Sequence, residues 1–271
     1  MNIIRYGGPM SRTRKVGSPI GYSGSAALTG FVSVWATTAI NETITIPCQN
    51  VGTFFAAIDW GDGTLSVVLS YNDANLAHEY ATAGDHTIKI TGLFPNIKFY
   101  NAGDKLKIKK VLNLGDVGWS ILDRAFYGCS NLTDFTAGST DTSAVTDMAV
   151  MFRDCDALIS LDLSNFDTSS VINMQSMFRG CDALTSIIGV EDFDITSLNS
   201  ASSLTSFLAG GKMTTAQYDA LLINFEAQAV YSGLTPSFGA STYTGGGAAA
   251  TARQNLIDID GWTISDGGIA P

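Results

Sequence analysis

The sequence predicts a mainly β protein with some α: a small β-sandwich, then a short solenoid of stacked repeats, closed by a helical C-terminal cap. Three observations carry this. Short alternating stretches bounded by Gly, Asn or Asp fill residues 31–93 and read as strands. From about residue 119 to 207 one pattern returns at a fixed interval: Phe126, Phe152 and Phe178 stand 26 apart, as do Cys129, Cys155 and Cys181, and Leu132, Leu158 and Leu184. A fixed period of this length means units that bury an apolar face only by stacking on a neighbour. Beyond residue 207 the pattern stops and two helical stretches follow.

Composition bounds the function classes. The chain has 271 residues and a formal charge of −10, which argues against nucleic-acid binding, whose footprint is a basic stripe. Charged residues make up only 15% while Gly, Ser, Thr and Asn abound, as in β-rich extracellular or virion proteins. No run approaches the roughly 18 apolar residues of a membrane span. The start has basic residues but no apolar core of a secretory signal, so no export signal is expected.

Residues 1–30 read as an extended docking arm. Gly7, Gly8, Pro9, Gly17, Pro19, Gly21 and Gly24 deny it a helix. Its charge comes from Arg5, Arg12, Arg14 and Lys15, with no acid before Glu42, whereas the remainder holds 11 basic against 25 acidic residues. A basic arm on an acidic body is suited to gripping a negatively charged partner. A tail without a partner is the alternative.

Residues 31–93 form the first domain. Strands are expected from Phe31 to Trp35, Thr43 to Pro47, Phe54 to Trp60, Leu65 to Leu69 and His86 to Ile90. Between them lies a turn, Trp60-Gly61-Asp62-Gly63. The glycines supply positive φ, Asp62 bonds backbone amides and Trp60 packs below. Asp59, Asp62, Asp73 and Asp85 are weighed as calcium ligands, but their spacing favours turn chemistry. His78 and His86 are expected in one hairpin and lack the motif context of a hydrolase triad. IDWGDGT at 58–64 followed by HEYATAGDHTIKITG at 78–92 is similar to the polycystic-kidney-disease (PKD) domain. That resemblance implies an immunoglobulin-like sandwich acting as a spacer or adhesive module.

Residues 94–207 form the solenoid with its linker. KLKIKKVLNLGD at 105–116 is expected as a strand opening the first coil, its lysines the solvated face of an end strand or, alternatively, an anion patch. Leu158, Leu161, Leu163 and Phe166 have the L-x-x-L-x-L spacing of a short inward-facing strand. Val145, Met148, Met151 and Phe152 are spaced as a short helix or tight helical turn. The in-phase cysteines suggest a column of small buried side chains. Zinc is the rival, but ligands 26 apart lack paired spacing and no histidine lies in the repeats. With Cys48, all four cysteines read as reduced. The M-F-x-x-C-x-x-L core, with FDTSSV at 166–171 echoed by FDITSL at 193–198, resembles the BspA-type leucine-rich repeats of bacterial surface proteins and tailed-phage structural proteins. The resemblance implies a binding scaffold or spacer, without catalysis. Only three units keep the Phe and Cys, so other structure must close both ends.

Residues 208–271 form the cap. Thr214 or Thr215 is the expected N-cap of a helix burying Tyr218, Leu221, Leu222 and Phe225. A second helix is expected from Ala248 to Ile257 and a last strand from Trp262 to Ile264. The endings YDALL, STY, ARQNLI and GWTISDG resemble the tails of phage structural proteins that carry such repeats.

The expected function is therefore a structural protein of a tailed phage. It would decorate the capsid or tail through its arm, contact other virion proteins, form multimers in the assembly, and sit on the virion surface after assembly in the host cytoplasm. No catalytic, cofactor-binding or metal-binding residue is assigned, and neither nucleic acid nor membrane insertion is expected. The alternative is a host-surface receptor-binding adhesin for a glycan or protein, in a tail fibre or on a bacterial surface, with Tyr231, Tyr243 and Trp262 as contacts. A polysaccharide-degrading enzyme would need paired carboxylates in a cleft; Asp167 and Asp194 share a repeat phase, which favours a structural role for both.

Overall fold

A computed structural model describes residues 30–271. The arm bearing Arg5, Arg12, Arg14 and Lys15 lies outside the described residues. The described chain is mainly β, with two helices and open sheets.

Of strands β1 (Phe31–Thr37), β2 (Glu42–Thr45), β3 (Phe55–Asp59), β4 (Leu65–Val68), β5 (Ala77–Tyr80) and β6 (Gly84–Leu93), all but β5 fall where alternation places them, and β5 is not among the expected strands. In β1, Phe31, Ser33, Trp35 and Thr37 point inward, the period-2 pattern of a half-buried strand. Strand β7 (Ile108–Asn113) and the short β8 (Asp134–Phe135) complete a six-stranded sheet in the order β4-β3-β6-β1-β7-β8.

Two sequence expectations change here. β7 is not an end strand: it pairs antiparallel with β1 and parallel with β8. Lysines beside and within it are tied to acids, Lys107 to Glu42 (3.1 Å) and Asp104 (2.9 Å), Lys110 to Asp134 (3.1 Å). His78 and His86 do not share a hairpin either. β5 pairs with β2 in a separate two-stranded sheet, while β6 pairs with β1 and β3.

From residue 99 onward the chain advances in stacked rows. Phe126 N donates to Met151 O, Phe152 N to Met177 O, Phe178 N to Phe207 O, Leu208 N to Ser237 O and Phe238 N to Ser265 O, each at 2.8 Å. The ladder starts before the visible period, with Phe99 N on Ala125 O at 3.2 Å. It also passes through the segment expected as cap. The opposite side of the rows carries short parallel pairings, β9 (Ser160–Asp162) with β10 (Ser186–Ile188).

The arc through Met148 to Cys155 is a run of tight turns and not a helix. Met151 N bonds Met148 O (3.3 Å), Arg153 N bonds Val150 O (3.3 Å) and Cys155 N bonds Phe152 O (3.2 Å). Left-handed residues interrupt it in every row: Arg124, Val150, Ser176 and Ser206 at φ 55–62°, then Gly128, Asp154, Gly180 and Gly210 four residues later. Positive φ reverses the helical sense, so no turn can propagate into the next.

Helix α1 (Thr215–Glu226) is N-capped by Thr214, whose hydroxyl accepts from Gln217 N, and buries Tyr218, Leu221, Leu222 and Phe225. Helix α2 (Ala248–Asp258) buries Ala249, Ala252 and Leu256. The expected strand from Trp262 to Ile264 is absent from the described secondary structure; single parallel bridges, Ser237 to Ser265 and Tyr243 to Ile269, take its place. Asp266, whose side chain is 3% exposed, ties the end down by accepting from Tyr218 Oη (2.7 Å) and Arg253 Nε (2.7 Å).

Candidate functional site

The feature that joins the parts is an aromatic spine. Ring centroids run from Trp35 on β1 to Phe99 (5.5 Å), Phe126 (6.3 Å), Phe152 (5.6 Å), Phe178 (5.7 Å), Phe207 (5.2 Å), Phe238 (6.1 Å) and Tyr218 on α1 (5.1 Å). The middle three rings are nearly parallel, 9° and 5° apart in plane. All eight side chains are buried. The repeat residues Leu132, Leu158 and Leu184 are buried beside them, as are Cys129, Cys155 and Cys181.

The cysteines do more than fill space. Cys155 Sγ donates to Phe126 O (3.1 Å) and Cys181 Sγ to Phe152 O (2.9 Å), so each thiol clips its row to the one before. Burial pushes the Cys181 thiol up to about 12 and Cys129 and Cys155 well above the ordinary range, which keeps them protonated donors. All four cysteines are free. Among the described residues no group of three or more His, Cys, Asp or Glu is placed to hold a metal ion.

Two further rungs were not singled out in the sequence. Thr142 Oγ1 donates to Asp167 O (3.0 Å) and accepts from Asp167 N (2.9 Å); Thr168 does the same with Asp194 (2.9 and 2.8 Å). Both threonines are buried. The carboxylates of Asp141, Asp167 and Asp194 each accept from the backbone N and hydroxyl two residues on, at 2.6–3.0 Å. The repeated D-T-S text at 141–143 and 167–169 is the signal for these rungs, since a hydroxyl next to a turn-forming Asp recurs at one phase. Asp167 and Asp194 are thus occupied as turn formers.

The GDGT turn has the expected local chemistry. Gly61 and Gly63 adopt φ 81° and 92°, and a Cβ on Gly61 would lie 2.4 Å from Thr87 O. Asp62 Oδ1 accepts from Thr64 N (3.0 Å) and its Oδ2 bonds His78 Nε2 (2.7 Å). Although burial pushes the Asp62 carboxyl up, the hydrogen bonds from Thr64 and His78 prevail and hold it at about 2. Trp60 is buried and stacks on His78 at 5.0 Å; Tyr80 donates to Trp60 O at 2.7 Å and stacks on His86 at 3.6 Å. Asp59 and Asp73 likewise bond backbone amides, of Gly61 and of Leu69 and Asn75.

The candidate aromatic contacts separate. Trp262 is buried, with Nε1 donating to Tyr231 O (3.1 Å), and seals the core beside Phe225. Tyr243 packs against the core beneath Arg253, and Tyr231 remains exposed. A separate apolar surface, invisible without the sheet order, is the outer side of β3 and β4, where Phe55, Leu65 and Val67 are 71, 75 and 53% exposed.

Residues 120–210 match a family described as "Mycoplasma protein of unknown function, DUF285". The match spans a third of the chain and coincides with the rows that keep the Phe and Cys. Comparison with curated proteins and with solved structures finds no match.

Proposed function

We propose that this protein is a non-enzymatic structural module of a tailed-phage particle, in which residues 1–30 mount the body on the capsid or tail and the stacked rows project outward as a rigid spacer. On this reading β1–β6 form a PKD-like, immunoglobulin-like sandwich, and the rows from 99 to 265 form a short leucine-rich-repeat solenoid roofed by α1 and α2. The observation that carries it is the unbroken aromatic spine from Trp35 to Tyr218, which makes sheet, rows and helices one stiff body. The buried threonines and cysteines of the rows bond the backbone of neighbouring rows, the arrangement of a scaffold. The charge contrast between arm and body supplies the attachment, with Arg5, Arg12, Arg14 and Lys15 meeting an acidic partner surface.

The test is deletion of residues 1–30 followed by assembly. The truncated protein should fold with an unchanged melting temperature and no longer sediment with particles. Retained incorporation would defeat the docking assignment.

A further inference from the structure

The row spacing widens between Leu198 and Leu204, and a groove opens there. Val145 and Val171 are each followed three residues later by a buried Met, Met148 and Met174; Leu198, next in phase, is followed by Leu204 only after six. Three extra residues therefore lie in the stretch Asn199–Ser203. Row-to-row bonding alters with them. Ile172 N donates to Thr146 O at 2.9 Å in the regular rows, but the Ile172 carbonyl is met by the Ser203 hydroxyl at 2.9 Å, and Ser202 N turns to Ser200 Oγ at 3.4 Å.

The resulting groove has a volume of about 250 Å³. Asp147 and Asn173, both half-buried and bridged as neighbours in the ladder, form its floor; Gln175, Asn199, Ser200 and Ile172 form its walls. Asp147 Oδ1 accepts from Ala149 N (2.8 Å) and Asn173 Oδ1 from Gln175 N (3.1 Å), which fixes both floor side chains. Carboxamides and hydroxyls provide donors and acceptors in alternation, and no cationic side chain lines the groove. A carboxylate in the lining with no cation beside it there disfavours an anionic ligand and suits paired hydroxyl donors. Ile172, 41% exposed, offers an apolar contact for the C–H face of a ring. The volume lies below the ~300–1,000 Å³ of clefts for drug-sized ligands, which limits the occupant to about one ring.

We infer that this groove binds one pyranose-sized unit of an uncharged glycan. The site is built from residues of the body alone, so its test is separate from that of particle attachment.

Full-length protein is titrated with the methyl glycosides of glucose, galactose, mannose and N-acetylglucosamine, and with sialyllactose as the acidic probe, by saturation-transfer NMR and calorimetry. At least one neutral glycoside should bind saturably, with Kd on the order of millimolar. Asp147→Asn, which keeps the Ala149 bond, and Gln175→Ala, at an exposed position, should each weaken it at least tenfold with unchanged melting temperature; Asp182→Asn, outside the groove, should not. Absence of saturable binding to every neutral glycoside, wild-type affinity in both groove variants, or preference for sialyllactose would each overturn the assignment.

Discussion

Replacing Phe152 by Ala probes the spine at its centre. The ring is buried, lies between Phe126 and Phe178 at 5.6 and 5.7 Å, and meets Phe135 edge-on at 4.8 Å. Truncating a buried Phe costs about 3–5 kcal/mol, set by how far the site can collapse. Collapse is resisted here because the rows on both sides are held at fixed spacing by 2.8 Å backbone bonds. Three ring contacts, each worth ~0.5–1.5 kcal/mol beyond area, push the loss toward the upper end. The expected loss is about 4–5 kcal/mol, read as a shift of the urea midpoint at constant slope. That corresponds to a fall in melting temperature of roughly 10–20 °C for a body of this size. Phe55→Ala, at an exposed ring, should shift stability by less than ~0.5 kcal/mol and serves as the control. A loss below ~1 kcal/mol at Phe152 would refute the reasoning, because a ring so enclosed cannot be removed cheaply.

Thr168→Val should cost about 1–3 kcal/mol, since it leaves the part-buried Asp194 N–H and C=O without their partner, while Thr168→Ser, which keeps both bonds, should cost less; equal losses in chemical denaturation would show that the methyl and not the hydroxyl matters. Acid should loosen the sheet end of the molecule. Asp62 and Glu42 are both held at about 2, below their ordinary values, so what they contribute is complete above about pH 5 and is lost as pH falls toward 2. Thermal melts from pH 6 to 2.5 should therefore fall more steeply for the wild type than for Asp62→Asn, by less than ~1 kcal/mol in all given the partial exposure of Asp62; parallel curves would remove Asp62 from the account. The three row cysteines should stay unreactive to a thiol reagent at pH 8 until denaturant is added, and rapid native labelling of Cys155 would contradict its burial.

Much of the fold is legible in local text. Period-2 alternation places β1 to β4, β6 and β7 within a few residues but not β5, Thr214 marks the start of α1, and the 26-residue spacing finds the rows at Phe126, Phe152 and Phe178. What escapes is set by long-range pairing. Nothing local tells β5 to leave β6 and join β2, or tells β7 to sit between β1 and β8. The later rows escape because their signature residues change: Leu208 stands where Phe is expected, Gly211 where Cys is expected, and one added residue before Phe193 and three at 199–203 break the count. The missing last strand has a different cause. Alternation in GWTIS mimics a strand, yet Trp262 N turns back to Leu256 O and Thr263 N to Leu234 O. Of the candidate site, the GDGT turn could be read outright because its bonds are local, whereas the groove beside Asp147 exists only once rows are stacked.

Native-state hydrogen exchange at five ladder amides, those of Phe126, Phe152, Phe178, Leu208 and Phe238, addresses the continuity of the stack most directly. If sheet, rows and helices are one body, all five exchange through a shared opening and their protection factors agree within about tenfold, ~1.4 kcal/mol. Protection at Leu208 and Phe238 several orders of magnitude below that of the first three would mean that the rows end near residue 207 and that the spine is broken.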